Sequence, residues 1–377
     1  MLGVAAVTMM NSRGMTAERR ASLTVTGGVG ATINPYLSTD DVAKAMLTEI
    51  TLNPVLTSKT AISTVELAGT LGYRRYTGGD GSSLYGSGVL SGTVRRSERL
   101  QLSGSAFYRH ETNADVVNEV IDSGNSKTIR RSLGGTASAQ WRTSEFDIVS
   151  PNFSVQTVSY TGDGDLTAYD NLSGGIGYSR RLNPFTSVGI RGGGQIYLPR
   201  TGSNSTAVFA SATVDHKFSS TLNINGGLGI QHISAGEKVS GEARGSGGKI
   251  YPAANVNACR RGQWTSLCLT GAISAEPTSR GSLERRISAG ISYARRLSEY
   301  SNVSLAASYQ RSSGNFGTVS DGQDAPLESL YANASFDKRL NKSLTLGTYL
   351  TYRRRAGQGT AEGGSAGFNL RWTTGRH

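Results

Sequence analysis

Long apolar runs are missing from this chain. None approaches the roughly 18 consecutive apolar residues that a membrane-crossing helix requires, which excludes a helical membrane protein. Histidine and cysteine are scarce as well, at four and two in 377 residues. No cluster has metal-ligand spacing, and His110, His216 and His377 lack a nucleophile and an acid in a defensible pattern. Hydrophobic residues make up only 37%, with a mean hydropathy of −0.30. That is not the composition of disorder, because the apolar residues fall in short alternating runs accompanied by 16 tyrosines. Glycine reaches 49 residues, well above the usual share of about 7%.

The apolar segment Leu2–Met10 is long enough for the core of a secretory signal but lacks a basic leader and a clean cleavage site. Residues 1–20 are therefore expected to be a degenerate or truncated signal peptide or a disordered N-terminus. Residues 21–377 are expected to form a single domain.

Within that domain the dominant period is two. Leu344, Leu346, Thr348, Leu350 and Tyr352 alternate with Thr345, Gly347, Tyr349, Thr351 and Arg353, so one face suits lipid and the other water. Val65, Leu67, Leu71 and Tyr73 repeat the split, as do Leu222, Ile224, Leu228 and Ile230. The alternating segments run about 10 to 14 residues, longer than the roughly 5 to 6 of a soluble sandwich strand. Tight polar or basic turns recur near Ser58, Ser97, Ser144, Leu182, Phe218, Gly262, Leu297 and Leu340, and the connections between them are more variable. Eight such turns imply an all-β, antiparallel up-and-down transmembrane barrel of about 18 strands, with 16 as the alternative. Short turns at one end and longer loops at the other place both termini in the periplasm and the barrel in a bacterial outer membrane. Pro54, Pro151 and Pro252 fall inside the strands and require bulges to absorb the missing N–H.

Aromatic residues recur where interfacial girdles are expected. Tyr73, Tyr108, Tyr160, Tyr197, Tyr309 and Tyr352 end strands running toward the loops; Trp141, Tyr178, Phe218, Tyr293, Phe336 and Trp372 end strands running back. The last strand, Ser365 to Trp372, resembles the C-terminal signal recognised by barrel-assembly machinery, on Gly367, Leu370 and Trp372, although Trp372 lies five residues before the end. From about Ala21 to Trp372, the repeated Tyr-x-Arg-Arg-Leu turns and the Gly/Ser-rich alternation resemble the β-barrel porin 2 type of outer-membrane protein of α-proteobacteria. That resemblance implies an outer-membrane setting and, for some members, an association with exopolysaccharide export.

Other motifs read as structural. The GGVG, GGIG and GGLG segments at Gly27, Gly174 and Gly226 complete no phosphate-binding loop and suit bent, tilted strands. The Asp-Gly pairs at Asp80 and Asp163 lack calcium-loop spacing and suit hairpins. His232 and Ser234 carry the His-x-Ser spacing of an outer-membrane phospholipase without a matching Asn, and a rim histidine is the preferred assignment. No enzymatic activity, cofactor or metal is expected. If Gln263-Trp264 is a two-residue turn, Cys259 faces Cys268 at a non-hydrogen-bonded pair; a cross-strand disulfide and two separate thiols both fit.

Charge supplies the functional expectation. The 39 basic and 27 acidic residues leave +12, but they cluster at strand ends and form no nucleic-acid module, so nucleic acid is not an expected partner. Strand parity turns Arg74, Arg109, Arg191, Arg286, Arg353 and Arg371 inward, with Glu66, Asp215 and Asp337 opposing them. A barrel of this size leaves an aqueous channel. The expected function is a porin-like channel for passive diffusion of small polar solutes, biased toward anions by a positive wall. An accessory barrel for exopolysaccharide export, working with polysaccharide export components, is one alternative. A structural or adhesive barrel plugged by its loops, with Glu111–Ser126 and Arg311–Pro326 as candidate plugs, is another. Expected partners are outer-membrane lipid, the assembly machinery and the solute, with self-association left open.

Overall fold

In the computed structural model, alternation of this kind has closed into one sheet. The structure describes residues 17–39, 42–77, 81–112, 128–161, 166–235, 248–279, 282–313, 326–357 and 359–374. The strands, in chain order, are β1 (Glu18–Ile33), β2 (Lys44–Lys59), β3 (Ser63–Tyr76), β4 (Ser82–Arg95), β5 (Leu100–Thr112), β6 (Ile129–Arg142), β7 (Asp147–Thr161), β8 (Tyr169–Asn183) and β9 (Thr186–Pro199). They continue as β10 (Ser205–Lys217), β11 (Leu222–Ala235), β12 (Lys249–Arg261), β13 (Thr265–Pro277), β14 (Leu283–Arg296), β15 (Ser301–Ser313), β16 (Leu327–Arg339), β17 (Leu344–Ala356) and β18 (Thr360–Thr374). Each pairs antiparallel with its sequence neighbours, and β1 pairs with β18 from Leu23↔Thr374 to Ile33↔Gly364, so the 18-stranded sheet closes on itself. Closure leaves no strand without a neighbour on either side, which a wall in lipid needs because hydrocarbon offers backbone groups no hydrogen bonds.

Exposure separates the two faces. Leu228, Ile250, Ile190 and Phe368 are 74%, 69%, 66% and 61% exposed, and the large exposed apolar side chains share their face of the wall around the barrel. A continuous apolar exterior of this kind is a membrane surface. The opposite parity faces the lumen.

The eight short turns lie at one end, together with the start of β1 and the end of β18. Their recurring polar residue has a specific task. The side-chain oxygens of Thr60, Ser97, Ser144, Ser219 and Asn341 accept from the backbone N–H groups two and three residues on, at 2.9–3.3 Å. Asn183 and Ser298 accept from the N–H two residues on. Such local acceptors mimic a backbone turn. The repeated segment thus marks chain reversal, and the Ser or Asn after the leucine is its lock. Only the first turn departs from its expected place: it lies at Thr60–Ser63, where Thr60 N donates to Ser63 O, slightly beyond the expected Ser58.

The strand prolines are accommodated without the expected bulges. Pro54 stays opposite Leu23 of β1, while the β2–β3 ladder skips from Leu52↔Leu71 to Val55↔Ala68 without changing register. Pro151 keeps Ile176 on β8, and the β6–β7 ladder skips from Ser138↔Asn152 to Trp141↔Val149. Pro252 keeps Ile230 on β11. Each proline pairs on one side and forfeits pairing on the other. The register shift that does occur, between Arg181 and Asn183, involves no proline.

Candidate functional site: the lumen

Two expected girdle residues belong elsewhere. Tyr160 and Tyr197 point into the lumen, where Tyr197 is completely buried and Tyr160 packs beside it against one apolar cluster. Strand-end position alone suggested an interface; side-chain parity decides otherwise, since Ile190 and Ile196 of β9 already occupy the outer face. Tyr73, Tyr108, Trp141 and Trp372 do face outward, 45–54% exposed.

All nine charged positions singled out by parity lie on the inner face. They are not spread evenly. Arg74, Arg109, Arg286 and Arg353 lie within three residues of the loop end of β3, β5, β14 and β17; Glu66, Asp215, Asp337 and Arg371 lie equally near the turn end of β3, β10, β16 and β18. Arg191 sits between, on β9.

Three of these arginines share a construction. Tyr85, Phe107 and Phe209 lie so flat against the wall that a Cβ added to Gly72, Gly134 or Gly193 on a neighbouring strand would overlap the ring. Over each ring sits a guanidinium: Arg74 at 4.9 Å from the Tyr85 centroid, Arg109 at 5.8 Å from Phe107 and Arg191 at 5.4 Å from Phe209. Glycine thus gives the aromatic room, and the aromatic holds the cation by its π face. Arg74 is further held by Glu49, at 2.9 Å and 3.1 Å, and the Tyr85 hydroxyl donates to the same carboxylate at 2.5 Å. Arg286 donates to Gln310, Arg353 to the Pro35 carbonyl at 3.1 Å, and Arg371 stands 3.8 Å from Asp337.

The lumen has two sides. On β7–β12 the inner face carries Asn152, Asn171, Gln195, Asn225, Asn255 and Asn257 among glycines, and of the nine singled-out charges only Arg191 and Asp215 fall there. The other seven lie on β14–β18 and β3–β5, joined there by Arg130 of β6, 4% exposed. Sequence reasoning missed Arg130, Glu49 and the flat aromatics. The same parity count identifies Glu49 and Arg130, whereas no sequence signal pairs an aromatic on one strand with a glycine on the next.

Among the described residues, two connections enter the lumen from the loop end. In the β1–β2 connection Leu37 and Asn34 are 0% and 2% exposed, both with positive φ, and Tyr36 packs on Ala45, Leu47 and Tyr76. A Cβ at Gly363 would meet Asn34 O and Leu37, so this glycine makes room for the entering segment. The end of the β13–β14 hairpin enters from the other side: Thr278, Ser279 and Leu283 are 4%, 0% and 0% exposed. The expected plugs lie largely at residues 113–127 and 314–325, outside the described residues, as do residues 1–16, His377 and the turns at Asp80 and Asp163.

Cys259 and Cys268 are opposed in register on the lumen face, bonded to each other, with Cα atoms 4.1 Å apart. The turn between them is closed by Gly262 N donating to Thr265 O at 2.7 Å. Closing so short a loop constrains the unfolded chain by about 2–3 kcal/mol. Thiol titration of the denatured protein is expected to find no free thiol before reduction and two after it, and reduction is expected to lower the urea midpoint of the barrel. His232 and Ser234 lie on the outer face of β11, where the Ser234 hydroxyl is bonded to Thr206 at 2.6 Å.

Neither the family models nor the curated protein sequences yield a match to this chain. Among solved structures it is similar to the outer membrane protein OpdK of Pseudomonas aeruginosa, with a TM-score of 0.48 and 10% identity over 95% of this chain and 99% of the other. OccK9 (OpdG) of the same species gives a TM-score of 0.48 and 11% identity over 94% and 98%. OccK2 (OpdF) of that species, solved in complex with glucuronate, gives 0.47 and 10% over 96% and 99%.

Proposed function

We propose that this protein is an outer-membrane porin-like channel for passive diffusion of small polar solutes, biased toward anions, with its turn end in the periplasm. The observation that carries this reading is the placement of lumen charge. Arg74, Arg109, Arg130, Arg286 and Arg353 gather at the loop-end mouth and outnumber Glu49, which pairs with Arg74, and the buried Glu284 there, whereas the singled-out acids Glu66, Asp215 and Asp337 lie at the far end. A low-dielectric wall focuses the field of such charges and raises the local concentration of anions at the entrance. The amide and glycine wall of β7–β12 suits the passage of hydrated, hydroxyl-bearing solutes, since it offers both donors and acceptors. Catalysis forms no part of this reading.

Reconstituted into planar bilayers across a salt gradient, the protein is expected to conduct with a reversal potential on the anion side. A reversal potential favouring cations would refute the bias, and absence of conductance would remove the channel and favour a plugged structural barrel. The amide wall also suits a second role as an accessory barrel for exopolysaccharide export, which predicts loss of secreted polymer on deletion of the gene. Assembly is proposed to use Gly367, Leu370 and Trp372 as the signal read by the barrel-assembly machinery.

A further inference from the structure

One stretch of the wall is not zipped. β12 pairs with β11 along its whole length, from Lys249 to Arg260, and β13 pairs with β14 from Thr265 to Pro277. Between β12 and β13, however, pairing stops at Ala254↔Ile273, leaving Lys249–Ala253 and Ser274–Pro277 without each other.

The loop end of β13 and β14 has instead turned into the barrel. Ala275 and Leu283 share the parity of the lipid-facing residues on their strands, yet they are 9% and 0% exposed. They are buried in a cluster with Val158, Tyr169, Tyr197, Ala207 and Ile233, which are lumen-facing residues of β7–β11. The outer face of the hairpin end therefore lies on the inner face of the opposite strands. Hydrogen bonds follow the same path. Ala275 N donates to Gln231 Oε1 on β11 at 3.0 Å, bypassing β12. Tyr197 OH donates to Thr278 O at 2.8 Å, and Thr167 N donates to Ser279 O at 2.8 Å. Arg285 of β14 reaches over the Tyr251 ring of β12, again bypassing β13.

Pro252 accounts for the place of the break. Continuing the register would set it opposite Ala275, at a pair that should exchange two backbone bonds, counting from the close non-hydrogen-bonded pair at Cys259↔Cys268. Proline supplies no N–H there, so zipping would leave the Ala275 carbonyl without its donor. Below the break the disulfide holds the register, so the two strands can re-pair only in this alignment.

We propose that the loop end of the β13–β14 hairpin, Ser274–Ser279 with Ser282 and Leu283, is a lid. Turned inward it closes the loop end of the lumen on the β7–β11 side; swung out, it zips onto Lys249–Ala253, completes the wall and opens the channel. The proposal rests on the channel reading, and its test separates the two. Ala253→Cys with Ser274→Cys, the lumen-facing pair above the break, locks the zipped state when oxidised. Ala207→Cys with Ala275→Cys locks the inward state. Both pairs are expected to crosslink in the folded barrel, as mapped by mass spectrometry. Oxidation is expected to raise conductance at least twofold in the first variant and to lower it at least twofold in the second, relative to each variant before oxidation. Pro252→Val, which restores the donor, should shift wild-type conductance in the same direction as the zipped lock. If Ala253→Cys/Ser274→Cys fails to crosslink while the other pair does so, or if both locks leave conductance unchanged, the lid is overturned. Crosslinking of both pairs with no conductance in any variant would establish the moving hairpin and overturn both its gating role and the channel.

Discussion

A channel carrying glutamate at positions 109, 191 and 371 is expected to reverse its selectivity. Arg109 and Arg191 are braced over Phe107 and Phe209, and Arg371 faces Asp337, so these three sample the mouth, the middle and the turn end of the lumen. Each Arg→Glu exchange alters the wall by two charges, about six in all, within a space where the low-dielectric barrel focuses the field. In a potassium chloride gradient the reversal potential should move from the anion to the cation side. The change should shrink as salt is raised toward 1 M, where the screening length falls to about 3 Å. Arg295→Glu is the control. That residue is exposed on the lipid side of β14, and its exchange should leave selectivity unaltered. An unchanged sign in the triple variant would place the controlling charges elsewhere.

The second large effect concerns closure of the barrel. A Cβ at Gly367 would run into the Val29 carbonyl of β1 and the Tyr349 hydroxyl. Gly367→Val therefore obstructs the β18–β1 ladder at the Gly30↔Gly367 pair, where the sheet must close. Refolding into detergent micelles is expected to give at least a tenfold lower yield of the compact, heat-modifiable form on a cold gel. Trp372→Ala separates closure from recognition. The indole is 49% exposed on the lipid face, so its loss should leave refolding in detergent near the wild-type yield while lowering assembly in cells. If both variants refold normally, Gly367 acts only as part of the assembly signal.

Much of the architecture was legible in the chain because a barrel wall is governed by local rules. Strict alternation tells lipid from lumen one residue at a time, and the turn segments count the strands without reference to any distant partner. Eighteen strands, turns at seven of eight expected places and the opposition of Cys259 to Cys268 all follow from such short-range information. The placement of the nine charged residues on one face follows from the same parity.

What failed was local reasoning applied to long-range features. Tyr197 looks like a girdle residue from its distance to a turn, but its ring is claimed by a hairpin five strands away. Pro252 looks like a bulge, and becomes the edge from which β13 departs. The inward residues Asn34–Ser38, Ser274–Ser279, Ser282 and Leu283 left only faint traces, Tyr36-Leu37 and Leu283 among polar residues, because burial there depends on surfaces brought across the lumen. The sequence by itself determined an antiparallel wall of about 16 to 18 strands with one apolar and one charged face, since period two and turn chemistry act between neighbours, and the closed sheet decided for 18. The tertiary structure alone decided how that wall is used at its mouth: which rings brace which arginines, where the seam opens and what folds inside. Those outcomes depend on contacts between strands far apart in the chain, and pattern along the chain does not encode which of them meet.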